Sequence, residues 1–402
     1  MKAFTVTLPS GQAAHYVDRK RWWWALALVF PLQPFAGIWL HAETGHDAWL
    51  AAGFVLTFAI GPLADALLGE DQNNPPQPVV PLLEQDRWYR WLTWAAVPVH
   101  VVTLVGCLAY ATTADVGAGG FFALALGAGM AAGLAINTGH ELGHRNSRLE
   151  RTLAKIALAV PAYGHFSLDH NRGHHRDVAT PEDPASARMG ENIYRFARRE
   201  IPGAVLRAWR LERERLGNRG RPAWHRSNQL LQAWLLAAGI AAALVFAFGW
   251  LALPFLLLHH AAAYFQLTSA NYIEHYGLLR ERGPDGRHER CAPRHSWNSN
   301  HVLSNLALFH LERHSDHHVH PLRRYQSLRH LDDAPRLPSG YFGMYLLAWV
   351  PPLWFRVMDP RLLALPHVHG DLGRVNLCPR AAGRLHDRYA RSAGAATGSG
   401  LG

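Results

Sequence analysis

Long uncharged runs alternate with arginine-rich segments along this chain, and the runs come in membrane-spanning lengths. Residues 22–40 follow a polar stretch ending in Arg19-Lys20-Arg21, and 48–68, 91–112 and 118–138 repeat the pattern, with Asp65 and His100 as polar exceptions. Each run is close to the roughly 20 residues that a helix needs to cross about 30 Å of hydrocarbon. The first run resembles a signal peptide, but it is too long, carries Pro31 and Pro34, and lacks a small-residue cleavage site, so it reads as a retained span. From 230 to 270 the apolar stretch is too long for one crossing, and Gly249 and Pro254 mark a hairpin between spans at 230–248 and 251–270. The pattern predicts an all-α, polytopic membrane protein. Six transmembrane helices and a helical cap form one domain over 1–380, the cap comprising 139–229 and 271–380, with a flexible tail over 381–402.

Charge then orients the spans. With the N-terminus inside, the outer loops 41–47, 113–117 and 248–250 contain no Lys or Arg. Every basic residue falls on the other side, which is the positive-inside asymmetry, so both termini and the cap are expected in the cytoplasm. Residues 190–226, with Arg195, Arg198, Arg199, Arg207, Arg210, Arg213 and Arg215, read as a basic amphipathic helix facing anionic headgroups or an acidic partner. The apolar stretch 341–358 is broken by Pro351-Pro352 and reads as an interfacial or re-entrant segment rather than a seventh span.

Composition adds the chemistry. The 402 residues include 26 His and only 3 Cys, with a net charge of +10. The mean hydropathy of −0.08 averages two unlike populations, membrane runs and polar segments. Cys107, Cys291 and Cys378 lie far apart, which excludes a disulfide framework and a four-cysteine iron–sulfur site on this chain. Any electrons the chemistry needs must arrive on another protein.

The histidines cluster. His140-Glu141-Leu142-Gly143-His144 follows the fourth run, His170-Asn171-Arg172-Gly173-His174-His175 comes next, and His314-Ser315-Asp316-His317-His318 lies in the last third. The last cluster, at i, i+3 and i+4, is expected to project from one side of a helical turn toward a common point. Taken alone, the first cluster suggests a zinc protease with Glu141 as base. A zinc site needs three or four ligands, whereas eight clustered imidazoles suit two metal ions. Imidazole leaves zinc, copper, iron and nickel open; the missing cysteine ligands and the apolar approach argue for an oxygen-activating pair of irons. Neutral imidazoles leave the ions' charge uncompensated, so neighbouring carboxylates should orient the rings and offset it. The candidates are Glu141, Asp169, Asp177, Glu182, Asp183, Glu274 and Asp316. His165, His259, His260, His295, His301, His310, His320 and His330 read as structural.

These residues resemble the integral-membrane alkane 1-monooxygenases, the rubredoxin-dependent alkane omega-hydroxylases of bacteria. The likeness extends through Ala179-Thr180-Pro181-Glu182-Asp183-Pro184-Ala185, Asn271-Tyr272-Ile273-Glu274-His275-Tyr276-Gly277, Leu311-Glu312-Arg313-His314 and Gly69-Glu70-Asp71-Gln72-Asn73-Asn74-Pro75-Pro76. It covers roughly 20 to 380. The histidine boxes alone are shared with membrane desaturases and sterol or carotenoid oxygenases; the Asn271–Gly277 motif is what points to methyl-group hydroxylation. The resemblance implies His275 as a ninth metal ligand, a diiron centre with O2 as co-substrate, and no catalytic residue beyond the ligands. It also implies a linear alkane as substrate, rubredoxin as electron donor, an NAD(P)H-dependent rubredoxin reductase behind it, and the bacterial inner membrane as location. A xylene-type methyl hydroxylase and a fatty-acyl desaturase are the alternatives. A histidine-rich metal transporter would keep its ligands near mid-membrane, whereas these clusters lie at the ends of the runs.

Overall fold

The computed structural model describes residues 1–389; the remainder of the expected tail, 390–402, lies outside the described residues. The tail's first residues are packed rather than loose: Ala381 and Leu385 belong to the main buried cluster, where a Cβ at Gly190 would strike both side chains. An apolar residue every fourth position was the signal, set in a segment otherwise too polar to stand out.

The chain begins with a β-hairpin that the all-helical reading did not include. β1 (Lys2–Thr7) pairs antiparallel with β2 (Ala13–Asp18). Phe4 from its inner face is buried against Trp24, Leu83 and Tyr89. Tyr89 donates its hydroxyl hydrogen bond to the Asp18 carboxylate, fixing the hairpin to the polar end of a membrane helix.

Among the described residues, five helices are long and apolar enough to cross a membrane: α1 (Trp23–Thr44), α2 (Asp47–Leu68), α3 (Arg87–Thr113), α4 (Ala118–Gly143) and, after the cap segments α5 (Arg148–Ala159), α6 (Phe166–Asp169) and α7 (Ile193–Gly217), α8 (Gln229–Phe248). The sixth expected span is α9 (Ala252–His275), a 24-residue helix whose first half is apolar. Its second half carries Gln266, Thr268, Ser269, Asn271, Glu274 and His275, all buried, so its mean hydropathy falls below that of the other five. Gly249, in the left-handed region at φ 76°, turns the chain between α8 and α9 where the sequence placed the hairpin.

Burial differs sharply among the spans. In α4 67% of the apolar window is buried, against 11% in α8, so α4 is the axis of the bundle and α8 its rim. The α4–α9 packing is the most extensive in the molecule. It needs small residues: a Cβ at Gly129 would lie 2.4 Å from the His259 carbonyl oxygen. Two helices this close carry their polar ends to one place, His140 at the end of α4 and His275 at the end of α9.

The cap completes the fold with α10 (Val302–Ala307), α11 (His314–Val319), α12 (Tyr341–Trp349) and α13 (Pro351–Leu363). At nine and thirteen residues α12 and α13 are too short to cross a bilayer. Tyr341, Tyr345, Trp354, Met358 and Leu362 are buried in the main core, each fully buried side chain of this size contributing about 1.5–3 kcal/mol.

Candidate metal centre

The nine histidines that the motifs single out converge, and they do so as two groups. One ring nitrogen from each of His140, His144, His170, His175 and His317 lies within 4.8 Å of the others, and His174, His275, His314 and His318 form a second such group. Within the first, Nε2 atoms stand 2.9 Å apart for His140 and His317, 3.0 Å for His170 and His175, and 3.1 Å for His175 and His317. Within the second, His314 Nε2 is 3.2 Å from His275 Nε2 and 2.9 Å from His318 Nε2. Nitrogens bound at about 2.1 Å to one ion, at right angles, would stand about 3.0 Å apart.

Helix geometry explains the division. His140 and His144 are one turn apart at the end of α4 and share a group. In α11, His314 and His318 also lie one turn apart and share a group, but His317 points into the other one. The expectation of a common point for all three is therefore corrected: at 100° per residue, i+3 and i+4 fall on opposite sides of i, and this turn sits between the two groups. The His170 cluster divides by another route. His170–His174 is a π-helical turn in which the His175 N–H donates to the His170 carbonyl, and an i, i+5 repeat stacks His175 over His170. His174 is left facing the second group.

Two observations test the fit to metal. The Nε2 atoms of His144 and His174 are buried without a hydrogen-bond partner, a loss of about 1–3 kcal/mol each that coordination would remove. Burial, with neighbouring imidazoles adding to it, pushes His144, His170, His175, His314, His317 and His318 well below the ordinary histidine pKa. The rings are neutral at pH 7, the form that ligates. All-nitrogen groups of five and four suit an imidazole-binding transition metal rather than calcium or magnesium.

The seven candidate carboxylates divide by contact. Asp183 accepts from His174 Nδ1 at 2.9 Å, which fixes that ring with Nε2 toward the second group. Glu274 places Oε2 3.3 Å from His314 Nε2, and its other oxygen is buried without a partner. Asp169 touches no ligand; it takes a two-point hydrogen bond from Arg207 at 2.6 and 2.9 Å, while the third arm of that guanidinium reaches Asp183 at 2.7 Å. Burial raises the Asp183 pKa, but the His174 ring and Arg207 outweigh it and hold the carboxyl well below the usual range. Glu141 pairs with Arg145 and Asp316 with Arg323, both inside the cap. Asp177 pairs with the exposed Arg176. Glu182 is a correction: half exposed, it pairs with Arg282 and His288 on the surface, away from the imidazoles. Its neighbour Asp183 takes the buried place, where His174, Ser186 and Arg207 donate to it.

Sequence reasoning passed over two arginines. Arg207 belongs to the run read as surface-facing, yet it is 3% exposed and bridges Asp169 and Asp183; a carboxylate pattern upstream was its only signal. Arg313 is 1% exposed and donates to the carbonyls of Asp71 and Leu328, so the Gly69–Pro76 motif serves to seat the turn before α11. That turn contains Phe309 and His310, both at positive φ, which costs about 1–2 kcal/mol per residue. The eight other histidines singled out as structural fall in neither group: His310 bonds the Tyr325 carbonyl, and His320 bonds Asp316.

Among the described residues, two larger cavities and one small pocket meet the imidazoles. A narrow one, lined by Gly133, Ile136, Leu267, Ala270, Leu308 and Leu311, ends at His140, His170 and His314. Its long-helix part comes from α4 and α9, the two helices that pack together most extensively. The second, about 810 Å³, is more open and carries basic side chains, Arg145, Arg151, Lys155, Arg172, Arg215 and Arg219, together with His144 and His175.

Membrane-length helices that gather two imidazole groups at their polar ends define a class, the integral-membrane histidine metalloproteins, and residues 116–357 match the family described as fatty acid desaturase. Over 365 residues, 90% of each chain, the protein is 52% identical to alkane 1-monooxygenase 1 of Alcanivorax borkumensis. It is 50% identical to alkane 1-monooxygenase of Pseudomonas putida over 91% of this chain and 90% of that one. The xylene/toluene monooxygenase hydroxylase component XylM of Pseudomonas putida is 27% identical over 56% of this chain and 59% of its own. Within that class, the chain belongs to the alkane 1-monooxygenase family.

Proposed function

We propose that this protein is an alkane 1-monooxygenase, inserting one atom of O2 into the terminal methyl of a linear alkane to give a primary alcohol. The observation that carries the reading is the meeting of an apolar cavity with both imidazole groups, at His140 and His170 from one and His314 from the other. In this reading His140, His144, His170, His175 and His317 hold one iron and His174, His275, His314 and His318 the other. The irons supply reductive activation of O2.

What the chain itself contributes follows from its contacts. The α4–α9 cavity takes the hydrocarbon directly from lipid, where it already resides at about 0.8 kcal/mol per CH2 relative to water, and presents its end beneath the imidazoles. Asp183 holds His174 in orientation, and the Glu274 carboxylate facing His314 offsets positive charge at the four-histidine group. The cap faces the cytoplasm of a bacterial inner membrane, with both termini on that side. There the open basic cavity beside His144 and His175 suits an acidic electron carrier, rubredoxin, itself reduced by an NAD(P)H-dependent reductase.

The test is conversion of a series of linear alkanes by whole cells supplied with rubredoxin and its reductase. Primary alkanols that disappear when rubredoxin is omitted are expected. New double bonds in lipid acyl chains, or oxidation of xylene methyls with alkanes untouched, would contradict the reading.

A further inference from the structure

Hydroxylation by O2 consumes protons as well as electrons: RH + O2 + 2 e⁻ + 2 H⁺ gives ROH + H2O, and the site that needs those protons is buried. Glu200 is an acid that the metal groups do not use. It lies on α7, is 1% exposed, and has only neutral hydrogen-bond donors. Thr268 Oγ1 donates to it at 2.8 Å and Asn271 Nδ2 at 3.2 Å, both from α9. Arg207, two turns along the same helix, is committed to Asp169 and Asp183.

Glu200 lines a small pocket of about 10 Å³ with Tyr163, His165, Asp169, His170, His174 and Asn271, which is room for about one water molecule. Such a water would find polar partners, since Tyr163 Oη and His165 Nε2 are buried there without any in the protein. His170 belongs to the five-histidine group and His174 to the four-histidine group, so the pocket touches both. Asn271 lines this pocket and the apolar cavity alike, placing the Glu200 carboxyl one side chain from where the methyl would react.

We propose that Glu200 is a proton-positioning residue, holding a proton inside the cap and passing it through a single water toward the space between the two imidazole groups. The proposal rests on the O2-dependent reading above. The charged and titratable groups around Glu200 are Asp169 from α6, Tyr163 and His165 from the turn before it, His170 and His174 from the π-helical turn after it, and Asp183 from the segment before α7; α9 offers only Thr268 and Asn271. Burial, reinforced by Asp169 and Asp183 and opposed by the two hydrogen bonds, pushes Glu200 up to about 7, so it can both hold and release a proton near neutrality.

Glu200→Gln keeps the shape and the acceptor oxygen but cannot titrate. Three quantities are measured in the detergent-purified full chain: iron per chain, alcohol formed per reductant with its pH profile, and the infrared carboxyl band. We expect unchanged iron, alcohol turnover lower by about a hundredfold or more, and loss of the pH-profile limb near neutrality. A protonated-carboxyl band that titrates near pH 7 in the native protein should vanish in the variant. Native turnover and pH profile in E200Q, loss of iron in E200Q, or no titrating band in the difference spectrum would each overturn the proposal. If the native protein itself consumed no O2, the parent reading would fall, while the infrared band would still decide whether Glu200 holds the proton.

Discussion

The five-histidine and four-histidine groups are built from the same side chain and share the same helical turns, yet they stand in different surroundings. His144 and His175 of the first line an open cavity with six arginine and lysine side chains around it. The second is closed: its four histidines are all buried, with Asp183 behind His174 and Glu274 facing His314. The contrast teaches that ligand chemistry alone does not assign roles. Surroundings differ, and on the proposed reading they suit the first group to approach by a charged carrier and the second to an ion whose charge protein carboxylates offset.

The strongest way to break that contrast is to delete a ligand from one side. His275→Ala should abolish alkane hydroxylation and lower bound metal from about two ions per chain to about one, measured by elemental analysis; retention of both would refute the four-histidine group. Removing a support should do less. Asp183→Asn keeps one acceptor oxygen, so either the His174 Nδ1–H or the third arm of Arg207 is set against an amide N–H, and metal affinity of that group should fall about 10- to 100-fold. Arg207 keeps its pairing with Asp169, so stability should drop by only about 1–3 kcal/mol, and chelator titration would show one ion released before the other.

On the open side, Arg151→Glu with Lys155→Glu should leave metal content untouched while slowing reduction by rubredoxin about tenfold at low salt, the difference shrinking as salt rises. Stopped-flow reduction at two ionic strengths checks this. The smallest effect belongs to the backing of α9. Burial raises Asp359 to about 6, opposed by the hydrogen bond that Tyr276 donates to it. Because the folded chain holds a proton that the unfolded chain releases nearer 3.8, this group's contribution to stability is full below that value and is lost as pH rises through about 6. Asp359→Asn should therefore raise Tm at about pH 8 and leave it unchanged at about pH 4.

Much of this was legible in the sequence, for identifiable reasons. Uncharged runs located the spans because lipid tolerates no alternative, and Gly249 marked its hairpin because that position requires φ above zero. The eight boxed histidines stood out by spacing; His275 did not, and only the motif around it singled it out. How the nine divide was hidden, since it depends on a π-helical turn that no residue spacing announces. Arg207 and Glu182 were misread in opposite directions because a charged side chain's burial depends on partners brought from elsewhere in the fold. The hairpin over Lys2–Asp18 was missed because its strands are six residues each and only partly apolar.

The division into two metal positions is tested most directly by a density map of the iron-loaded protein recorded on and off the iron absorption edge. Two iron peaks are expected, one enclosed by His140, His144, His170, His175 and His317 and the other by His174, His275, His314 and His318. A single peak shared by both sets, or iron bound away from them, would contradict it.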